Sequence, residues 1–216
     1  MASLITLVQN TYAYASQHLD QVGLETEQHL VLVAIPLAIA LSIGLPLGFF
    51  SARSRWASLF LINGFNALRV IPSLAVLFLA IPYLGLSAQS AILALTLLTL
   101  PPILISTDVA FRSIEASIIE AAVGMGMTPR QVLMRIEIPL AFPVILAGIK
   151  TATVEAIASA TLAAFIGVGG LGRFIVLGFS LYDNAILLVG AIPVAFLALA
   201  AEIGLTLWQR ALQPPR

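Results

Sequence analysis

Arg69, Lys150 and Glu155 stand inside stretches that are otherwise apolar, Arg69 within residues 57–83 and the other two within 139–165. A charge left at the centre of a bilayer costs on the order of 3 kcal/mol, so such side chains must face protein or water. Their chemistry is the holding of charge in a low dielectric, not bond making. Lys150 and Glu155 are five residues apart, about 140° around a helix, too far round to pair with each other. Partners on other helices are therefore expected. At about 1.5 Å of rise per residue all three come near mid-membrane, and Arg69 and Glu155 differ in depth by about 6 Å, within reach of an arginine side chain. That ground permits an Arg69 to Glu155 pair, while single water-facing charges are the reading favoured over it. For Lys150 the alternative is snorkelling toward the nearer membrane surface.

Bond-making chemistry has no candidate. The chain has no cysteine, and its two histidines, His18 and His29, stand alone as polar residues expected near a membrane surface. No G-x-x-x-x-G-K-[ST] occurs, and the single lysine follows Ile149. Gly167, Gly169 and Gly172 satisfy the spacing G-x-G-x-x-G, but a dinucleotide fingerprint needs a preceding strand and an acidic residue about 20 positions on. Here the glycines follow an apolar helix, so a flexible or closely packed loop is expected. Neither a catalytic residue, a metal site nor a bound cofactor is expected in this chain, and energy for any work must come from a partner.

The elements that carry the three charges are membrane helices. Of 216 residues 60% are hydrophobic and 9% charged, with mean hydropathy +1.06, against about 25% charged in soluble domains. Ten basic and ten acidic residues cancel, which leaves no field to attract nucleic acid. Leu30 to Ala52 runs 23 residues without a charge, about 34 Å as a helix and enough to cross the bilayer core. Further spans are expected at 57–83, interrupted by Arg69 and Pro72, and at 88–107, 139–165 and 184–209. The reading is an all-α integral membrane protein of about five transmembrane helices.

Arginine sets the orientation, because cytoplasmic loops accumulate it. Arg53, Arg55, Arg112, Arg130, Arg135, Arg210 and Arg216 fall on one side and Arg173 on the other. The first side is expected to be cytoplasmic, with the N-terminus outside and the C-terminus inside. Trp56 and Trp208 at the inner boundary and Tyr83 and Tyr182 at the outer one agree. Residues 1–28 are expected as an outer-surface segment of weak amphipathic pattern, 29–210 as the transmembrane domain and 211–216 as a cytoplasmic tail. No cleavable signal is expected, since the first basic residue is Arg53.

The one long inner loop, 108–138, is patterned as helix, turn, helix. Ser117 to Glu120 matches a capping box for the first helix. Thr128, Pro129 and Gln131 make a second capping box, with Met127 and Val132 placed as a hydrophobic staple. Gly124 and Gly126 supply the stop and turn between the helices, and Pro139 is expected to end the second at Ile138. A DNA-reading helix would need more groove-reading and phosphate-contacting side chains than Arg130, Gln131 and Arg135. Ala121, Ala122 and Gly126 strip one surface of bulk, as close approach by another protein requires.

Glu120, Ala121, Ala122, Gly126 six residues after the glutamate, then Ile136 and Pro139, resemble the EAA loop of ABC importer permeases, with Ile138 standing where the pattern has leucine. The stretches "NALRVIPSLAVLFLAIPYLGLS" and "AAFIGVGGLGRFIVLGFSLYDNAILLVGAIPVAFLALAAEI" are similar to permeases for glycine betaine, choline and carnitine, over about residues 29–210. The resemblance implies a type I importer fold in which Glu120, Ala121, Ala122, Gly126, Ile136 and Pro139 form a coupling helix docked on an ATPase subunit that binds ATP and Mg. It also implies a second permease copy or a similar permease, a separate extracytoplasmic binding protein that selects the solute, and a prokaryotic inner-membrane location. Under that resemblance Arg69, Lys150 and Glu155 are candidates for lining the passage or holding its closed state. The alternatives are a permease of the same type for methionine or another amino acid, and a secondary transporter; five spans without a detected repeat argue against the latter.

In the fourth span Gly148, Ala152, Ala156, Ala160 and Ala164 recur every fourth position, a stripe that lets another helix backbone come close.

Overall fold

The computed structural model describes residues 4–212, and within them the chain is helical with no strand. Residues 213–216, with Arg216 and most of the expected tail, lie outside the described residues. Among the described residues four helices are long and apolar enough to cross a membrane, and a fifth candidate span is a bent pair. They match the five expected spans. α1 (Leu4–Gln17) precedes α2 (Leu19–Ala52), then come α3 (Arg55–Val70), α4 (Ser73–Leu84) and α5 (Ala88–Arg112). The loop carries α6 (Ala116–Gly124) and α7 (Pro129–Val132); α8 (Ile138–Ala160), α9 (Gly172–Ser180) and α10 (Asn184–Leu212) complete the chain.

α5 is the centre. It packs against α2 on one side and α8 on the other, with α3 and α4 also laid along it, while α10 joins α8 to α9 and α1. Its neighbours approach to backbone distance. A Cβ added at Gly48 would lie 2.7 Å from the Leu104 carbonyl oxygen, and one at Gly148 would lie 2.8 Å from that of Pro102. The stripe expected on the fourth span is buried at Gly148, Ala152, Ala156 and Ala160. It fails at Ala164, which is only half-buried, because Thr161–Ile166 tightens into a 3-10 helix and turns Ala163 inward instead.

Three other expectations are corrected. Within the segment expected at 1–28, the described residues from Leu4 onward form two elements: α1 packs on α10 and α2, and residues 19–28 are already the first turns of the 34-residue α2. Pro139 does not end the loop's second helix. The chain continues through a π turn, Leu133–Glu137, in which the Ile138 N–H reaches back to the Leu133 carbonyl, and this wider turn admits a proline without an N–H. The first loop helix begins at Ala116 with Glu115 as its N-cap, and the Ser117 hydroxyl donates to the Glu115 carboxylate rather than capping the backbone.

The interruption expected at Arg69 and Pro72 is a true break. α3 and α4 meet at 96°, and Ile71 before the proline takes extended geometry, φ −72 and ψ 125.

Gly48→Val should force branched carbons into the Leu104 carbonyl and Thr107, with overpacking of about 1–3 kcal/mol or more. The apparent unfolding midpoint in detergent should fall well below that of Gly23→Ala, where nothing lies within 4 Å. Equal midpoints would remove the close α2–α5 contact.

Candidate functional site

The loop turn is built by two reciprocal caps. α6 closes with a Schellman motif: the Met127 N–H donates to the Ala122 carbonyl at 3.2 Å and the Gly126 N–H to Val123 at 2.9 Å. Gly126 sits at φ +82, where a side chain is strained. α7 opens on the expected capping box: the Gln131 N–H donates to Thr128 Oγ1 at 3.4 Å and the Thr128 N–H to Gln131 Oε1 at 2.8 Å. Val132 is buried and Met127 half-buried.

Ala122 faces inward, 2% exposed, whereas Glu120, Ala121, Gly124 and Gly126 are exposed. Glu120, Ala121 and Gly124 share one helix face by spacing, and exposed Val123 and Met125 lie beside them. Ile136 is half-buried and Pro139 exposed, so the six loop residues singled out in sequence do not form one continuous face.

Both chain segments flanking the loop are fastened to the α2–α3 corner, 51–54. Before the loop, Arg112 Nη2 donates to the Ser51 and Ser54 carbonyls at 2.8 and 2.9 Å, while its Nε donates to Asp108 at 3.0 Å. Asp108 is 1% exposed and also accepts from the Ser51 and Ser58 hydroxyls at 2.7 and 3.2 Å. After the loop, Arg53 grips buried Glu137 with both guanidinium nitrogens, one at 3.0 Å. Arg53 also lies over the rings of Phe49 and Phe111, 4.7 and 5.8 Å from their centroids.

The opposite end of α2 is fastened too. Buried Glu25 accepts from the Gly170 N–H at 2.7 Å and from Arg173 at 2.9 Å. His29, expected near a membrane surface, is instead fully buried, and its Nε2–H donates to the Ile157 carbonyl at 3.1 Å. The change to 3-10 geometry explains why: the Thr161 N–H turns to Ala158 and Ser159 and leaves that carbonyl to another donor. The glycine loop is closely packed, since a Cβ at Gly169 would lie 2.2 Å from Gln28 Oε1. Glu25 and Arg53 are separated by about 42 Å of helix, so Arg173 and the loop arginines do lie at opposite ends.

Of the intramembrane charges, Lys150 finds its partner on another helix as expected: Glu202 of α10 at 2.9 Å, with the Thr206 hydroxyl at 3.2 Å. Arg69 and Glu155 make no ion pair within 4.0 Å among the described residues. They line one cavity of about 270 Å³ together with Ser73, Leu97, Leu98 and Pro101. The depth count thus brings the two residues to one place without bringing them into contact, and the chain turns through 96° just beyond Arg69.

The family model for binding-protein-dependent transport system inner membrane components matches residues 44–215. This chain belongs to that family. It is similar to the carnitine transport permease protein OpuCB of Listeria monocytogenes, 41% identical over 84% of this chain and 83% of that one. The choline transport system permease protein OpuBB of Bacillus subtilis is 37% identical over 88% of each chain. The osmoprotectant import permease protein OsmW of Salmonella typhimurium is 38% identical over 82% of this chain and 85% of that one. Among solved structures, an inward-facing MetNI methionine ABC transporter chain aligns at TM-score 0.78 with 21% identity, covering 91% of this chain and 98% of that one. The type I importer permease fold is therefore this chain's fold, and the chain is a multi-pass transport subunit of the inner membrane rather than an enzyme.

In this family member the loop pattern and the loop arginines were legible in sequence, and the residues that fasten the loop were not. Arg112 and Asp108 could have been found as an i, i+4 pair; Arg53 and Glu137, 84 residues apart, carry no local signal. Truncating Arg53 strands a buried carboxylate, whereas truncating Glu137 frees a guanidinium that is already 46% exposed. Arg53→Ala should thus destabilise the detergent-solubilised chain by about 3 kcal/mol and more than Glu137→Ala does. The reverse order in thermal unfolding would contradict the burial assigned to Glu137.

Proposed function

We propose that this chain forms the translocation path of an ATP-driven importer for osmoprotectants of the glycine betaine, choline and carnitine type. The observation that carries the coupling role is the doubly capped turn that presents Glu120, Ala121 and Gly126 outward while both flanking segments are fastened to one corner. A face bare of bulk and rigidly joined to the spans can transmit a push. Ala122 supports the turn from inside, and Ile136 and Pro139 lead from it into α8.

In this reading two ATPase chains bind ATP and Mg and dock on the loop, a second copy of this permease or a similar one completes the passage, and an extracytoplasmic binding protein delivers the solute. The permease chain itself holds no cofactor. The solute class rests on the relatives, whose names specify carnitine, choline and osmoprotectants; a methionine permease is matched in fold alone. The arginine count supports a cytoplasmic loop and C-terminus, with the glycine loop and the N-terminus outside.

Two measurements test this. Gly126→Leu would confound bulk with backbone strain, so Gly124→Leu is the cleaner substitution: it shares the Glu120 and Ala121 face and a Cβ there meets nothing within 4 Å. Recovery of the ATPase with the permease should fall about tenfold, equivalent to about 1.4 kcal/mol at the interface, with membrane levels unchanged. Normal co-purification and normal glycine betaine uptake would reject the docking assignment. For orientation, the cysteine-free chain allows single exposed labels at Leu86 and Met125. Leu86→Cys should react with an impermeant thiol reagent from outside and Met125→Cys only after the membrane is opened; the opposite pattern inverts the topology.

A further inference from the structure

Charges within the apolar spans are normally paired, because an unpaired one is costly there. Lys150 obeys this rule, but Arg69 and Glu155 have no ion-pair partner within 4.0 Å among the described residues. They share a cavity of about 270 Å³ without closing on each other. The cavity lies at the break between α3 and α4 and borders the apolar cluster that contains Leu98. Opposite charges held apart across an open space form a receptor for a molecule that is itself a dipole.

The backbone adds to one pole. Pro101 and Pro102 have no N–H to give to the carbonyls of Leu97 and Leu98, and Leu97, Leu98 and Pro101 all line the cavity. The carbonyls of Leu97 and Leu98, left without a helical donor, are acceptors on residues that line the same cavity as Glu155. Arg69 presents the fork that suits a carboxylate, with Ser73 beside it. Discontinuous helices in other transporters make solute sites in the same manner.

We propose that Arg69 and Glu155 form a transit site for a small zwitterion, its carboxylate on Arg69 and its cationic head toward Glu155 and the Leu97 and Leu98 carbonyls. The inference rests on the osmoprotectant reading and deepens it. A solute with a carboxylate and a quaternary ammonium engages both poles. One with the ammonium alone engages only the Glu155 pole.

The test is saturation-transfer NMR on the assembled permease and ATPase complex without binding protein, with glycine betaine and choline as probes, alongside uptake by the complete transporter in proteoliposomes. The wild type should show transfer to both solutes. Arg69→Gln should lose the glycine betaine signal and keep that of choline, Arg69→Lys should restore part of it, and Glu155→Gln should lose both. Equal loss of the two solutes in Arg69→Gln, or no transfer in the wild type, overturns the site. Uptake without transfer leaves the importer reading standing and the site refuted. Transfer in the predicted pattern without uptake of either solute keeps the site and rejects the importer reading.

Discussion

α5 can stand between α2 and α8 only because its neighbours surrender side chains where the backbones meet. A Cβ at Gly48 would come within 2.7 Å of the Leu104 carbonyl, and one at Gly148 within 2.3 Å of Ser106 Cβ. In a bilayer no hydrophobic drive presses helices together, since lipid is as apolar as the helix faces; close backbone contact and the dispersion it brings must do so. The three central helices therefore act as one block, and the polar attachments at either end of α2 depend on it. Were α5 to move away from α2 by the width of a methyl group, Asp108 would lose the Ser51 hydroxyl and Arg112 the Ser51 carbonyl.

α8 is the element that joins the loop to the rest of the membrane domain, and it departs from α geometry at both ends. At the loop end a π turn admits Pro139 and leaves Glu137 buried against Arg53. At the other end a 3-10 turn frees the Ile157 carbonyl for His29. Each departure exposes a backbone group that an α-helix would satisfy internally, and each is answered by a side chain or turn that a bilayer could not supply. Between them α8 presents its small-residue stripe to α5 and Lys150 to α10.

The spans, the break near Pro72, the loop's two helices with the Thr128 cap and the Gly126 turn were legible because each is written in local pattern: hydropathy, a missing N–H, a short polar side chain three residues before its target. Lys150 was half legible, since the rule that in-span charges need partners pointed to another helix without naming Glu202. What escaped was set by distance in the chain. Arg53 and Glu137, or Glu25 and Gly170, meet only after the bundle forms, and no periodicity relates them. His29 escaped for a subtler reason: its burial depends on a change of helix type at Thr161 that sequence does not announce.

Among the described residues four ion pairs divide the polar work: the α2–α3 corner to the π turn, Asp108 to Arg112 along α5, α8 to α10, and α2 to α9. Each ties the fold together. Arg69 and Glu155 make no ion pair within 4.0 Å among the described residues, and apolar side chains of similar volume would fill their cavity without the cost of desolvating two charges. Stability alone therefore gives no account of their presence. They lie where the second span breaks rather than along an intact helix, and a break costs backbone hydrogen bonds in the same way that the charges cost solvation. Two such costs at one position, the break and the charges, are what the proposed transit site would account for.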